Sequence, residues 1–177
     1  MWGFTKKPTA HTLAERGMSF CIRPFEERDR TAVEKMAREV VQAGENFAYE
    51  EVQPVMGYWL GEGIRTLVAE DAAGAVVGTY ALKPNQPGRG RHVANAGYMV
   101  HSSARGHGLG RAMCEHSIEL AREMGYQSMQ FNMVISTNAP AIKLWKDLGF
   151  RIVGKLPKVF RHEGLGFVDA LIFYREL

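Results

Sequence analysis

The chain has 177 residues, and its 22 lysines and arginines exceed its 19 acidic residues by three, with no run of basic residues that would favour nucleic-acid binding. The length fits one ordinary domain, and 46% hydrophobic residues are enough to build a packed core. No stretch resembles a membrane-spanning helix or the apolar region of a secretory signal. We therefore expect a cytoplasmic protein with neither a membrane nor a nucleic-acid partner.

Strand and helix patterns alternate along the chain. Residues 1–17 precede the first pattern and are predicted to form an N-terminal extension or arm, while residues 18–177 are predicted to form one domain. Seven strands are predicted: Ser19–Phe25, Arg65–Glu70, Ala75–Leu82, Val93–Val100, Gln127–Val134, Phe150–Leu156 and Phe167–Arg175. Helical stretches are predicted at 33–41, Val55–Leu60 (a short apolar piece), Gly108–Met124 and Pro140–Leu148. The order βα(α)βββαβαββ indicates a mixed α/β fold.

Three glycine-containing segments punctuate these elements. The residues between the second and third strands, 71–74, end in glycine and predict an antiparallel hairpin. Gly97 lies inside a predicted strand, which indicates either a bulge or a close neighbour. The segment Pro157–Gly166 is predicted to be a loop between the last two strands.

The segment that is most informative about function runs from Val100 to Arg111. Here a predicted strand leads into a glycine-rich turn, and a predicted helix follows the turn. Gly106, Gly108 and Gly110 leave backbone N–H groups unshielded, and the helix presents its positive dipole end to the same point. This arrangement predicts a site for a phosphate or pyrophosphate. The turn lacks the Gly-Lys-Ser/Thr sequence of a P-loop, and Arg111 replaces the last glycine of a dinucleotide fingerprint.

These residues resemble the GNAT superfamily of N-acetyltransferases. Its first signature, R/Q-x-x-G-x-G/A after a strand that ends in valine, is present at residues 105–110. Its second signature, N-x-x-A-x-x-L-Y-x-x-x-G-F, is matched by Asn138, Ala141, Leu144, Trp145, Gly149 and Phe150. The resemblance covers roughly residues 18–177. It implies the GNAT fold, with a mostly antiparallel seven-stranded sheet and about four helices, and acetyl-CoA as the co-substrate.

The resemblance also implies which residues bind acetyl-CoA. Backbone groups of Met99 and Val100 would pair with the pantetheine as another strand does. Asn138 would hydrogen-bond the pantetheine or the phosphate region. The pyrophosphate would be held by Arg105, Gly106, His107, Gly108, Leu109, Gly110 and Arg111.

A closer likeness concerns the acceptor. Parts of the chain resemble fungal N-acetyltransferases of azetidine-2-carboxylate and other proline analogues, and related bacterial GNATs. These parts are residues 95–100, 129–132, 138 and 144–145. The likeness implies that Asn95 and Asn132 serve the substrate, and strand alternation lets both reach a gap between their strands. A carboxamide donates to a carboxylate and accepts from an amine, although each asparagine alone is also compatible with a purely structural role. Phe47 and Tyr49 lie in the segment that resembles the substrate lid.

The function that this implies is transfer of an acetyl group to the amine of a small amino acid or analogue, by direct transfer in a ternary complex. Other amines remain open, as does a non-catalytic acyl-CoA sensor, because Trp145 replaces a tyrosine of the family signature and an indole is no acid. The candidates for a general base are Glu50, Glu51, Glu70, Asp71, His101 and His107. Cys114 is a poor candidate for a covalent intermediate. The family resemblance implies a homodimer, and no metal is expected.

Overall fold

The computed structural model describes residues 11–15 and 18–177. Within these residues the strands are β1 (His11–Glu15), β2 (Met18–Pro24), β3 (Arg65–Glu70), β4 (Val76–Pro84), β5 (Val93–Val100), β6 (Ser128–Ile135), β7 (Arg151–His162) and β8 (Gly166–Glu176). The α-helices are α1 (Arg30–Ala43), α2 (Val52–Leu60), α3 (Leu109–Glu123) and α4 (Ala139–Asp147). None of these described helices is long and apolar enough to cross a membrane.

The strands form one sheet in the order β1-β2-β3-β4-β5-β6-β8-β7. Neighbouring strands are antiparallel except for β5 and β6, which are parallel. The seven predicted strands and the mixed, mostly antiparallel sheet are confirmed. β1 falls within the predicted N-terminal extension and adds an eighth strand at the sheet edge. The rest of that extension lies outside the described residues.

The helices cover both faces of the sheet. The larger core cluster joins one face to α3 and α4 through side chains such as Met113 and Trp145. The second cluster joins the other face to α1 and α2 through Met36 and Trp59. Strand alternation on β5 divides its residues between these faces, so that Ala96 belongs to the α3/α4 side and Met99 to the α1/α2 side.

β5 and β6 separate soon after they begin. In the described chain their register joins only Val93 to Ser128 and Ala94 to Met129. On its other edge β5 stays paired with β4 up to Val100. β6 carries a register shift between Phe131 and Val134 on the side that faces β8. The two strands therefore enclose a gap, and beyond Ala94 the edge of β5 along this gap pairs with no described strand.

Hydrogen bonds at the two ends of β5 show which backbone groups face the gap. The Asn85 N–H donates to the Val93 carbonyl over 2.8 Å, and the His101 N–H donates to the Val77 carbonyl over 2.9 Å. In an antiparallel ladder the residues that bond to one neighbour alternate along the strand, so the odd-numbered residues of β5 bond to β4. The N–H and C=O groups of the even-numbered residues point toward the gap.

Gly97 has a close neighbour and no bulge. The β4–β5 register runs through it without a shift. A Cβ atom on Gly97 would lie 3.1 Å from both Tyr58 and Trp59 of α2. The absence of a side chain on Gly97 thus lets α2 pack directly against β5.

The prediction of a loop at Pro157–Gly166 is wrong. β7 continues to His162 and β8 begins at Gly166, so the turn between them is short. The strand tolerates Pro157 because β7 lies at the sheet edge and has a register shift between Leu156 and Phe160. Lys158, with a φ of 53°, lies within this irregularity and absorbs the change in chain direction.

The tip of the long β7–β8 hairpin reaches the segment between α1 and α2. The Glu163 N–H donates to the carbonyl of Gly44, which ends α1 in a left-handed conformation, over 3.3 Å. The Arg161 guanidinium lies 2.5 Å from the Glu50 carboxylate. The hairpin tip therefore borders the α1/α2 side of the sheet.

Candidate functional site

The glycine-rich turn has the geometry of an anion site. Gly106 and Gly108 have φ values of 81° and 85°, a conformation that side chains disfavour, and Gly108 is the N-cap of α3. In the described chain, the N–H groups of Gly106, His107 and Gly108 donate to no other backbone group. The N–H groups of residues 109–111, at the start of α3, have no partner within the helix, because no helical carbonyl lies four residues before them. Six consecutive donors thus meet at a positive helix end.

Three side chains of this turn have other contacts. Leu109 is buried in the core. The Arg111 guanidinium lies 3.3 Å from the Asp147 carboxylate and so ties α3 to α4. Arg105 donates from Nε to the Val100 carbonyl over 3.4 Å. The backbone N–H groups of the turn therefore remain the candidate donors to an anion.

The predicted pantetheine groups lie at the adjoining part of β5. The ladder places the N–H and C=O groups of Tyr98 and Val100 on the gap side, whereas those of Met99 bond to β4. The Met99 side chain is only 1% exposed and packs in the α1/α2 core. Tyr98, which the sequence did not single out for this role, takes the position that strand pairing with a ligand requires.

Asn138 begins α4 across the gap from the turn. Its Oδ1 accepts a hydrogen bond from the Ala141 N–H over 3.2 Å, and Pro140 in the first helical turn favours the same start. The carbonyl oxygen is therefore occupied by helix capping. The amide N–H groups of Asn138 are the part of the side chain that can donate to a ligand.

The structure brings the two predicted acceptor residues onto one face of the separating strands. Asn95 alternates with Ala94 and Ala96 and so lies on the α1/α2 face. Asn132 follows Phe131, which packs in the α3/α4 core, and its side chain contacts that of Gln130 two residues earlier, so both side chains lie on the opposite, α1/α2 face. Asn132 is exposed, and its Oδ1 accepts from the Gln130 amide over 2.8 Å. Its own amide N–H groups can donate to a ligand.

An aromatic cluster covers the same face. The Trp59 indole donates to Thr79 Oγ1 over 3.1 Å, which fixes the ring beside Gly97. The ring centroids of Tyr58 and Trp59 lie 5.4 Å apart. From the α1–α2 segment, Phe47 lies 5.8 Å from Trp59 and Tyr49 lies 6.5 Å from Tyr58. The two predicted lid residues thus belong to an apolar wall above the acceptor face.

One charged neighbour of Asn95 was not predicted from the sequence. Lys83 on β4 stands directly opposite Asn95 in the register. Its Nζ lies 3.8 Å from the centroid of the Tyr58 ring. The signal was present in the sequence, since alternation along β4 puts Lys83 on the same face as Ala81, but the hairpin register was needed to align it with Asn95.

Three acidic candidates for the general base have structural partners. Glu70 forms an ion pair with Arg23. Asp71 accepts hydrogen bonds through Oδ1 from two backbone N–H groups of the β3–β4 turn, over 2.9 and 3.0 Å. Glu50 binds Arg161 of the hairpin tip. These contacts give each of the three carboxylates a structural role that requires no part in catalysis.

The remaining base candidates lie around the end of β5 and the start of α2. His101 Nδ1 lies 2.7 Å from Ser103 Oγ, and its Nε2 lies 3.4 Å from the Glu39 carboxylate. His107 is half-buried within the glycine-rich turn, and Glu51 is exposed just before α2. Of these three, His101 is the residue held by partners on both ring nitrogens.

Three further side chains that a mechanism could use are buried and packed: Cys114, Tyr98 and Trp145. Burial raises the pKa of the Cys114 thiol to about 12, so it is not a thiolate at neutral pH. The Tyr98 hydroxyl lies 2.7 Å from Ser117 Oγ, and burial raises its pKa well above the ordinary value. The Trp145 ring packs 5.2 Å from that of Tyr98. The geometry agrees with the predicted packing role of Trp145.

Comparison with known proteins identifies a family whose sequence model matches this chain, and several relatives. Residues 31–150 match the model of the acetyltransferase (GNAT) family. Over 100 residues the chain is 37% identical to N-acetyltransferase aca1 of Schizosaccharomyces pombe, a match that covers 56% of this chain and 48% of the relative. Over 113 residues it is 34% identical to the L-amino acid N-acetyltransferase AaaT of Escherichia coli, covering 64% of this chain and 68% of the relative. The match thus spans about half the length of aca1.

A solved structure resembles the whole fold. The GCN5-related N-acetyltransferase from Kribbella flavida is 41% identical, with a TM-score of 0.84. The superposition covers 89% of this chain and 98% of that chain. The likeness therefore extends over most of this chain.

Proposed function

This chain belongs to the GNAT family of acetyltransferases, whose co-substrate is acetyl-CoA, and from that premise we propose that it acetylates the amine of a small amino acid or amino-acid analogue. The transfer is direct, from donor to acceptor in one ternary complex. Cys114 is buried and protonated at neutral pH, so the proposal involves no acyl-enzyme on this residue. The E. coli relative named as an L-amino acid N-acetyltransferase supports the choice of acceptor.

The residues on the donor side fit acetyl-CoA. A Cβ atom on Gly106 would meet nothing within 4 Å, so the turn is open where an anion would approach its N–H groups. These N–H groups would hold the pyrophosphate, and the gap-facing backbone groups of Tyr98 and Val100 would pair with the pantetheine. The amide N–H groups of Asn138 would donate to the same part of the ligand. When bound, acetyl-CoA supplies an activated acyl group, and the protein supplies alignment.

One observation on the acceptor side carries the proposal: Asn95 and Asn132 lie on the same face of strands that separate beside the donor site. A carboxamide can accept from an amine and donate to a carboxylate, the two groups that every amino acid presents. The apolar wall that includes Phe47 and Tyr49 would exclude water around a small acceptor.

The proposal is tested by measuring thiol release from acetyl-CoA with a panel of amines in three variants. The panel holds proline analogues, ordinary amino acids, polyamines, peptides and aminoglycosides. We expect turnover with small amino acids, and a loss of kcat/KM of about 10- to 100-fold in Asn95→Ala and in Asn132→Ala, because each removes hydrogen bonds to a charged group. Gln127→Ala removes an exposed carboxamide just before β6 and should retain full activity.

The outcomes separate the alternatives. Unchanged affinity for acetyl-CoA in both asparagine variants, together with lost turnover, supports the acceptor role. Turnover of a peptide or polyamine that ignores both asparagines would leave the family and co-substrate standing and discard the amino-acid acceptor. Tight binding of acetyl-CoA without turnover of any amine would favour an acyl-CoA sensor.

We include a homodimer in the proposal because the β7–β8 hairpin exposes apolar side chains. β7 is the last of the described strands in the sheet, so one of its edges pairs with no described strand. Phe167 is 68% exposed and Leu165 is 64% exposed, and they are joined by other exposed apolar residues: Ile152, Val153 and Val159. Light scattering should give twice the chain mass of 19.8 kDa, and Phe167→Ser should shift the mass toward the monomer. A single-chain mass for the unaltered protein would refute the dimer.

A further inference from the structure

We propose that Lys83 is the group that recognises the acid function of the acceptor, so that the substrate class is amines carrying a free carboxylate or a comparable anionic group. The inference rests on the proposed function and specifies which feature of an amino acid the site selects. It arises from a lysine that lies beside Asn95, packs against an aromatic ring and forms no ion pair among the described residues.

The position of Lys83 places its side chain beside the acceptor residue Asn95. The two residues are directly opposed in the β4–β5 register, and the ladder pattern makes them a hydrogen-bonded pair with Cα atoms about 5.5 Å apart. Directly opposed residues point to the same face of a sheet. Lys83 and Asn95 therefore converge on the face that also carries Asn132.

An aromatic ring holds the ammonium in place. The Lys83 Nζ lies 3.8 Å from the centroid of the Tyr58 ring, within the range of a cation–π contact. Tyr58 itself is fixed between Trp59 and Tyr49. A cation on a ring face keeps N–H groups free to donate, since the ring occupies only one side of the ammonium. The charge is thus positioned in advance, which lowers the entropic cost of binding an anion.

Among the described residues, Lys83 also has no acidic partner of the kind that a half-buried cation ordinarily has. The lysines in the ion pairs of the described residues are Lys143 and Lys155, and Lys83 is in none of them. Burial alone lowers the pKa of Lys83, and no nearby acid counteracts it. An anionic ligand beside the ammonium would offset this desolvation, which is the behaviour of an ion-binding residue.

Lys83, Asn95 and Asn132 together specify the orientation in which an amino acid would bind. The carboxylate would accept hydrogen bonds from Lys83, while Asn95 and Asn132 would be left for the amine and the remaining carboxylate oxygen. A primary amide or ester of the same amino acid carries no charge and would lose the contact with the ammonium. A polyamine would place a second cation near Lys83 and be rejected by repulsion.

The test compares the best amino-acid acceptor with its primary amide in the unaltered enzyme and in Lys83→Met, which keeps the apolar stem. We expect the unaltered enzyme to prefer the acid by about 10- to 100-fold in kcat/KM, the value of a charge-assisted hydrogen bond. In Lys83→Met this preference should vanish through a raised KM for the acid, with KM for the amide and for acetyl-CoA unchanged. Lys35→Met removes an exposed lysine of α1 and controls for the loss of charge.

Each result decides the matter. Retention of the preference for the acid in Lys83→Met would overturn the role of Lys83 and leave the amino-acid acceptor intact. An unaltered enzyme that uses the amide as well as the acid would overturn the role of Lys83 and leave the amino-acid acceptor standing, whereas an enzyme that uses neither would overturn both proposals. If Lys83→Met fails to fold, Lys83→Arg provides the test, because it keeps the charge and should keep the preference for the acid; equal use of acid and amide by that variant would refute the proposal.

Discussion

Replacement of Arg23 by methionine should lower the free energy of unfolding by about 3–5 kcal/mol, because it leaves a buried carboxylate without its counter-charge. Arg23 binds both carboxylate oxygens of Asp29, over 2.7 and 2.8 Å, and also contacts Glu70 at the end of β3. Asp29 is only 3% exposed and accepts a further hydrogen bond from the Glu26 N–H over 2.8 Å. Urea denaturation monitored by circular dichroism measures the loss.

A surface pair provides the matched control. Arg38→Met breaks an exposed pair with Glu34, whose atoms are 3.1 Å apart, and should cost about 0.3–0.5 kcal/mol. Similar losses in the two variants would show that the burial of the Arg23 pair contributes nothing special to stability.

The pH dependence of the Arg23 variant follows from Asp29. Burial raises the pKa of this carboxyl, but the hydrogen bonds from Arg23 and from the Glu26 backbone outweigh burial and lower it. In the unaltered protein the pair therefore stabilises the fold above the unfolded pKa of an aspartate, and this contribution is lost as the pH falls through the lowered pKa. Without Arg23, burial dominates and raises the pKa, so the deficit of the variant should shrink on mild acidification. A deficit that grows instead would contradict this account.

The order of elements could be predicted because most strands and helices bury one face. Alternation in β5 and the helical spacing of Val33, Met36 and Ala37 in α1 reflect burial directly. The β7–β8 hairpin was underestimated for the opposite reason. Its outer half is exposed, so no apolar period marks it, and Pro157 and Gly166 mimic a loop. Pairing between the two strands, which a local pattern does not contain, extends this hairpin.

The residues of the proposed donor site are easier to group from the sequence than those of the proposed acceptor site. A contiguous stretch supplies the glycine-rich turn, so spacing alone locates its N–H groups. The acceptor face combines Asn95 and Lys83 from paired strands with Tyr58 from a helix, and their proximity depends on register and packing. Met99 illustrates the same limit: adjacent residues of a strand direct their backbone groups to opposite edges, and only the ladder shows that Val100 faces the gap while Met99 does not.

Gly106→Ala should raise the dissociation constant for acetyl-CoA by about 10-fold or more, since distortion of the turn moves several N–H donors at once. Gly106 has a φ of 81°, so an alanine there is strained, and a Cβ atom would project into open space where the anion approaches. Isothermal titration of the variant with acetyl-CoA measures the change in affinity.

Gly74→Ala separates this binding effect from strain. Gly74 has a φ of 79° and, like Gly106, would place a Cβ atom in open space, but it lies in the β3–β4 turn away from the donor site. Both variants should lose about 1–2 kcal/mol of stability from the same left-handed strain. Only Gly106→Ala should lose affinity for acetyl-CoA. Equal affinities in the two variants would mean that the pyrophosphate does not bind at this turn, because strain would then be the only consequence of either substitution.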